Sequence, residues 1–241
     1  MCYHTSVPEK TNLSNLFKGA EMGFDYRGFY HVSGFSHPQL PVVCSPALEK
    51  VEIAAWGFVP FFVKDRKQAL ETANKTLNAT CEKLFTTPMY KAAAPKQRCL
   101  IAVDGFYEWK WLDSKGNEKV PYYIYLKDKM PFTFGGIYND WEDPETGYVT
   151  RTCSIVTTPA NTLMAEIHNN KKRMPFILSE EQWITWLDPS TPQNIVQDLM
   201  QPYPEGLLSA HEVSRNITKR GFNTNVPEIQ EQVTISPTTL F

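Results

Sequence analysis

The sequence predicts an α+β fold, in which a curved, mostly antiparallel β-sheet or barrel forms the core and short helices lie outside it. Residues 99–157 are a succession of β-rich runs separated by turn-forming residues. Helical patterns are short and lie before and after this region. No Gly/Ser linker or low-complexity stretch divides the 241 residues, which favours one domain spanning residues 1–241.

The first part of the chain predicts a short helix followed by strands. Residues 8–18 place apolar side chains at helical spacing. Prolines divide residues 35–60 into short strands, and the strand at 51–56 is followed by a glycine. Residues 65–95 are polar and mixed, which indicates helical pieces and an exposed loop.

The central region predicts four strand runs and the last part alternates helix and strand. The central runs are residues 99–111, 120–126, 131–141 and 148–157. Residues 161–167 are helical in pattern, and 174–178 read as a strand. Ser179 is a suitable N-cap before two acidic residues, so a helix begins there. Residues 207–213 form a last strand before an irregular tail.

Composition excludes several classes of protein. The chain is 42% hydrophobic with a net charge of −2, so nucleic acid could be attracted only by a local patch. There is no signal-peptide pattern and no run of membrane-spanning length. The five scattered cysteines argue against a disulfide framework and for a reducing cytoplasm. The dispersed histidines and the lack of a glycine-rich phosphate loop predict neither a metal nor a small-molecule cofactor.

Cys2 directly follows the initiator methionine. Methionine is removed when the next side chain is small, and the mature chain would then begin with an amine and a thiol on adjacent carbons. The amine, with a pKa of about 8, can form an imine with an aldehyde, and the thiol, with a pKa of about 8.5, can close on it to give a thiazolidine. Taken alone, Cys2 is more simply the second residue of an intracellular protein.

Glu108 and Asn78 are candidate polar residues of a site. Glu108 lies among aromatic side chains on a predicted strand, where a raised pKa would suit a general acid. From its segment alone, an exposed glutamate paired with a lysine is the simpler interpretation. Asn78 offers both a donor and acceptors to a sugar or phosphate.

His168 shortly precedes three consecutive cations, Lys171, Lys172 and Arg173. Histidine can move protons near neutral pH, and the cations form a potential phosphate-binding patch. A solvated basic loop with an incidental histidine is an equally good interpretation of the segment in isolation.

Four motifs occur in order along the chain: an initial Met-Cys, Asn-Ala-x-x-Glu from Asn78, Asp-Gly-Phe-Tyr-Glu-Trp-Lys from 104 onward, and a histidine before Arg-Met-Pro-Phe-Ile-Leu. Each motif is modest, but the four in this order are specific. The sequence therefore resembles the SRAP family of abasic-site processing proteins, over nearly the whole chain.

The resemblance implies a protein that binds single-stranded DNA and captures the aldehyde of an abasic site as a thiazolidine. Cys2 would supply the amine and the sulfur, and Glu108 would assist ring opening and proton transfers. Asn78 would orient the sugar, and His168 would act at the Schiff-base stage and in reversal. Lyase and self-processing peptidase activity, and a role in DNA repair and the SOS response, are implied in the same way.

The resemblance also implies a set of DNA-binding residues, in which aromatic stacking would contribute about 1–3 kcal/mol per base. The set is Trp56, Trp109, Lys171, Lys172, Arg173 and His4. Two arginines common in the family are replaced by His4 and Thr80, and the loop after His168 is longer. These departures predict a shallow salt dependence of DNA binding.

Two other functions stay open. A mature N-terminal cysteine also suits an N-terminal-nucleophile amidohydrolase or peptidase, in which the α-amine is the base for its own thiol. Alternatively, the chain is a non-covalent single-strand binding module in which Cys2 is inert. We expect a monomer, because a strand-binding face must stay exposed. Residues 234–241 lack the pair of aromatics of a replication-clamp motif.

Overall fold

The computed structural model describes residues 2–46 and 48–233, so Met1, Ala47 and the stretch 234–241 lie outside the described residues. The strands are β1 (His4–Val7), β2 (Glu21–Met22), β3 (Phe29–Ser33), β4 (Gln39–Cys44), β5 (Lys50–Trp56), β6 (Asn78–Thr80), β7 (Arg98–Val103), β8 (Gly105–Trp111), β9 (Lys119–Leu126), β10 (Phe132–Glu142), β11 (Val149–Pro159), β12 (Arg173–Pro175), β13 (Ile177–Leu178) and β14 (Leu208–Glu212). The helices are α1 (Lys10–Leu16), α2 (Arg66–Lys75), α3 (Thr162–Ile167), α4 (Glu180–Leu187) and α5 (Gln193–Leu199).

Strands β4, β5, β7, β10 and β11 close into a barrel. Four antiparallel pairings link them in the order β11-β10-β7-β4-β5. A parallel pairing between β5 and β11, with Thr152 opposite Ala55, completes the ring. The short strand β6 also runs parallel to β11 and places Asn78 opposite Ile155. The predicted α+β fold with a mostly antiparallel barrel is therefore confirmed.

Strand β7 shows how the sequence builds two core layers around this barrel. Successive side chains of a strand point to opposite faces. Cys99, Ile101 and Val103 accordingly belong to the buried cluster shared with the second sheet, whereas Leu100 and Ala102 pack in the cluster that includes the tryptophans of α4. Short helices therefore cover the outside of the barrel, as the sequence predicts.

The second sheet holds the first strand of the chain, β1, between two other strands. Its order is β14-β9-β8-β1-β3, and all its pairings are antiparallel. In β1, His4 lies opposite Tyr107 of β8 and Ser33 of β3. This sheet packs on the barrel through Phe106, whose ring centroid lies 5.7 Å from that of Phe134. The start of the chain is thus held on both sides.

Two predicted strand runs are divided in the structure, and one helix was not predicted. The run 99–111 is two strands, because the chain leaves the barrel at Asp104 and enters the second sheet. A side chain at 105 would lie 2.6 Å from the Ile124 carbonyl oxygen, which explains the glycine there. The run 174–178 is also split into β12 and β13, and helix α5 was not predicted.

Candidate functional site

Cys2 is fully buried just before strand β1. Its thiol donates a weak hydrogen bond to the carbonyl oxygen of His4 at 3.5 Å. Burial raises the pKa of the Cys2 thiol, and the negative charge of Glu108 raises it further. The thiol is therefore protonated at neutral pH and needs a base before it can react.

Asn78 fixes the backbone of Cys2. The side-chain amide of Asn78 donates to the Cys2 carbonyl oxygen at 2.8 Å. The backbone carbonyl oxygen of Asn78 accepts from the Tyr90 hydroxyl at 3.2 Å. The side-chain oxygen Oδ1 is buried and has no hydrogen-bond partner among the described residues. A buried acceptor of this kind is costly unless a ligand supplies a donor.

Glu108 and His168 form a buried acid–base pair. Glu108 on β8 is 4% exposed, and His168, just after α3, is 7% exposed. The Nε2 atom of His168 lies 3.7 Å from Oε2 of Glu108. On the other side of the ring, Nδ1 lies 2.8 Å from the carbonyl oxygen of Arg173. Because a carbonyl only accepts, Nδ1 carries the proton, and Nε2 of the neutral ring is an acceptor.

Burial shifts the two pKa values of this pair in opposite directions. It raises the pKa of Glu108 to about 8 and lowers that of His168 to about 4. At pH 7 the carboxyl group is therefore protonated while the imidazole is neutral. A proton donor and a proton acceptor lie side by side without net charge, an arrangement suited to general acid–base catalysis. The simpler interpretation of Glu108 as an exposed residue was wrong.

Asn169 joins the histidine loop to strand β8. Its side chain accepts from the Trp111 backbone N–H at 3.0 Å and donates to the Trp111 carbonyl oxygen at 2.9 Å. The two bonds involve the backbone N–H and carbonyl of the same residue, as in a pair of β-strands. They hold Asn169, the residue after His168, against the strand that carries Glu108. Asn169 was not among the predicted site residues, although its position next to His168 in the sequence could have identified it.

A cavity of about 410 Å³ adjoins this pair. Its lining includes Tyr3, His4, Glu108, Trp109, Trp111, Lys119, His168 and Lys171. Trp109 packs edge-on against His4 with ring centroids 4.7 Å apart, and Lys119 lies 4.8 Å from the ring centroid of Trp111. The lining thus combines aromatic surface with cations.

The structure brings together the four predicted catalytic residues but separates the predicted DNA-binding set. Trp56 has no exposed surface, and its indole N–H donates to the Leu77 carbonyl oxygen at 2.9 Å. A base cannot stack on a fully buried ring, so the prediction for Trp56 was wrong. Arg173 forms an ion pair with Glu82 at 2.5 Å. Lys172 is exposed, and its contact with phosphate, like that of Arg173, stays a prediction.

His31 and Thr224 are further residues near the site that the sequence did not reveal. His31 on β3 lies 2.9 Å from His4, and Thr224 lies 2.8 Å from His31. They stand far from His4 and from each other in the chain, and neither belongs to a motif.

In the same described range, 2–46 and 48–233, no cluster of three or more His, Cys, Asp or Glu side chains could hold a metal ion. None of its helices is long and apolar enough to span a membrane.

Comparisons with known proteins agree on one family. The family model described as SOS response associated peptidase (SRAP) matches residues 1–220. The chain is 36% identical over 208 residues to the abasic site processing protein YoqW of Bacillus subtilis, covering 85% of this chain and 88% of that one. It is 28% identical to the abasic site processing protein HMCES of Xenopus tropicalis, over 70% of this chain and 54% of that one.

The fold has a close counterpart among solved structures. A crystal structure of a protein from Bacteroides thetaiotaomicron superposes with a TM-score of 0.87 at 32% identity. The match covers 97% of this chain and all of that chain. The barrel, the second sheet and their connections are therefore shared by proteins that differ at two thirds of their positions.

Proposed function

Because the chain belongs to the SRAP family of SOS response associated peptidases, we propose that it binds single-stranded DNA and captures abasic sites covalently through Cys2. One observation carries the proposal: Asn78 holds the Cys2 carbonyl at 2.8 Å, next to the buried pair of Glu108 and His168. After removal of Met1, the amine and the thiol of Cys2 would stand beside an acid and a base. The names of the relatives indicate abasic sites as the substrate.

Ring opening of the abasic sugar is the first step. The closed sugar is a hemiacetal, in which the C1′ carbon carries both the ring oxygen and a hydroxyl group. When the bond between C1′ and the ring oxygen breaks, a proton must reach the ring oxygen and another must leave the hydroxyl group. Glu108 is protonated at pH 7 because burial raises its pKa to about 8, and it donates the first proton. His168, with Nε2 unprotonated, accepts the second. The product is the open-chain aldehyde.

Condensation with Cys2 follows. The α-amine adds to the aldehyde carbon, and water leaves as the imine forms. The sulfur then adds to the imine carbon, and the thiol proton ends on the nitrogen, which closes the thiazolidine ring. The reaction releases one water and needs no oxidant or reductant. The Glu108 carboxylate left by ring opening is the base that the buried thiol requires.

Asn78 and the cavity lining would place the DNA. The buried Oδ1 of Asn78 would accept a hydrogen bond from a hydroxyl of the captured sugar. Trp109 and Trp111 would offer aromatic surface to neighbouring bases, and Lys119 and Lys171 would contact phosphates. Lyase cleavage, crosslink reversal and self-removal of Met1 are activities that the same proton-transfer pair would serve.

A denaturing gel tests the proposal. The Met1-processed protein is mixed with a single-stranded oligonucleotide that carries one natural abasic site, beside a reduced analogue without an aldehyde. We expect a denaturant-stable shifted band with the natural site alone. Cys2→Ser should abolish the band, whereas the matched control Cys44→Ser, at a half-buried cysteine of β4, should keep it.

Absence of the band with fully processed protein would contradict covalent capture. Cys2-dependent hydrolysis of an amide substrate would then favour the amidohydrolase. Equal affinity for intact and abasic strands, with no crosslink, would favour the non-covalent binding module. Light scattering of the same sample checks the expected monomer.

A further inference from the structure

Three side chains form a hydrogen-bonded row that begins in the cavity and leads away from it. Nδ1 of His4 lies 2.9 Å from Nε2 of His31, and Nδ1 of His31 lies 2.8 Å from the hydroxyl oxygen of Thr224. The two imidazole rings are also stacked, with centroids 5.1 Å apart and planes 8° from parallel. His4 lines the cavity, whereas His31 is buried.

The row links the tautomer of His4 to the orientation of one hydroxyl group. When the Thr224 hydroxyl donates to Nδ1 of His31, His31 is protonated on Nε2 and donates to Nδ1 of His4. A neutral His4 then carries its own proton on Nε2. When the hydroxyl instead accepts from His31, both bonds reverse and Nε2 of His4 becomes an acceptor. His4 can therefore act as a donor without becoming a cation.

We propose that the Thr224–His31–His4 row makes His4 a neutral hydrogen-bond donor to a phosphodiester oxygen of the bound DNA. The proposal rests on the proposed function, because it supposes that DNA enters the cavity. Thr224 is then a positioning residue, which acts through His31 and His4. The family match ends at residue 220, so Thr224 lies beyond the segment that the SRAP model describes.

Burial keeps both histidines of the row neutral. Burial lowers the pKa of His4 to about 4 and that of His31 to about 3. The titratable groups that face His4 come from the neighbouring strands and the loop after α3. They are Tyr3, His31, Tyr107, Glu108, Lys119, His168 and Lys171. Glu108 is itself uncharged below its pKa of about 8. Affinity through His4 should therefore not change between pH 6 and 7.

Thr224→Val tests the row, because valine matches threonine in shape but cannot hydrogen-bond. The probe is a fluorescent single-stranded oligonucleotide with a reduced abasic site, so that anisotropy reports non-covalent binding alone. We expect Thr224→Val to raise the Kd about fivefold, the effect of losing one hydrogen bond. Thr224→Ser keeps the hydroxyl and should restore the wild-type Kd. An unchanged Kd in Thr224→Val would overturn the proposal.

The salt dependence separates a neutral donor from a cation. For single strands, each neutralised phosphate contributes about 0.7 to the slope of log K against log salt. We expect His4→Ala to weaken binding and leave this slope as in wild type at pH 7. If the slope of His4→Ala were smaller than that of the wild type by about 0.7, His4 would be a cation and the proposal would be overturned. The same would follow if the affinity rose from pH 7 to pH 6 in the wild type but not in His4→Ala.

Crosslinking by the wild-type protein is scored separately. If the wild type crosslinks natural abasic sites and Thr224→Val binds normally, the row fails while covalent capture stands. If Thr224→Val shows the expected loss of affinity but no crosslink forms with the wild type, covalent capture fails, and the row still contributes to non-covalent DNA binding.

Discussion

Replacing Glu108 by glutamine should make the protein more stable while it removes the proposed chemistry. Burial raises the pKa of Glu108 from 4.5 to about 8. Between these two pH values the unfolded chain has released a proton that the folded chain retains, so the free energy of unfolding falls as the pH rises. At 1.36 kcal/mol per pKa unit, the loss is at most on the order of 5 kcal/mol at pH 8. Glutamine has the same shape and no charge, and it avoids this loss.

Urea denaturation at pH 5 and pH 8 measures the effect. The difference in the free energy of unfolding between Glu108→Gln and wild type should be small at pH 5 and reach several kcal/mol at pH 8. Other groups titrate in the same range, but they are common to both proteins and cancel in the difference. Equal differences at the two pH values would refute the assignment of a raised pKa to Glu108.

The rate of crosslinking provides the second half of this test. The amine of Cys2 must be unprotonated and Glu108 must be protonated, so the rate should pass through a maximum near pH 8. Glu108→Gln should lower the rate by about 10²–10⁴-fold, the usual contribution of a general acid, and should remove the alkaline limb of the profile. A variant that keeps the limb and most of the rate would show that Glu108 is not the acid.

Three further predictions concern other parts of the structure. Arg98 is buried and donates to the backbone carbonyl oxygens of Ala94, before β7, and of Asp188, after α4, so Arg98→Met should cost about 3–5 kcal/mol in urea denaturation. Trp56→Ala should cost about 3–5 kcal/mol of stability, whereas Trp109→Ala should weaken DNA binding by about 1–3 kcal/mol in an anisotropy titration and change stability little. Asn169→Ala should slow crosslinking at saturating DNA and leave the Kd unchanged, because it positions His168 and not the DNA.

Much of the fold was predictable because strands of this protein are bounded by clear turn formers. Apart from the division of the run 99–111 into β7 and β8, the strand runs predicted between residues 99 and 157 match β9–β11 closely, since Asp, Gly, Asn and Pro residues mark their ends. The parallel closure of the barrel by β5 and β11 was not predictable. Its partners, Ala55 and Thr152, are almost a hundred residues apart, and no local pattern encodes which edges of a sheet meet.

The candidate site was predictable only where a motif carried the information. Cys2, Asn78, Glu108 and His168 come together as the resemblance implies. Trp56 failed because an aromatic side chain on a strand serves equally well for a core and for a binding face. The sequence does not state which face is buried.

The charge of the proposed DNA-binding surface shows the same limit. Arg173 follows the histidine loop and reads as a phosphate ligand. In the structure its guanidinium faces Glu82 and the Thr157 carbonyl oxygen, at 2.5 and 2.6 Å. A phosphate would compete with these partners, whereas Lys171 already lines the cavity. The shallow salt dependence expected from the sequence therefore has a second reason, because one counted cation is engaged within the protein.

The proposed reaction at Cys2 poses a physical problem, because chain termini are usually the least ordered part of a domain. This fold answers it by placing β1 between β8 and β3, so that the residues next to Cys2 are paired on both sides. The pairing of His4 with Tyr107 sets the register that puts Cys2 beside Glu108. A slip of one residue would turn every β1 side chain to the opposite face. The sheet would therefore supply the precision that the proposed capture demands of Cys2, and substitutions that weaken β1 pairing should slow crosslinking before they unfold the barrel.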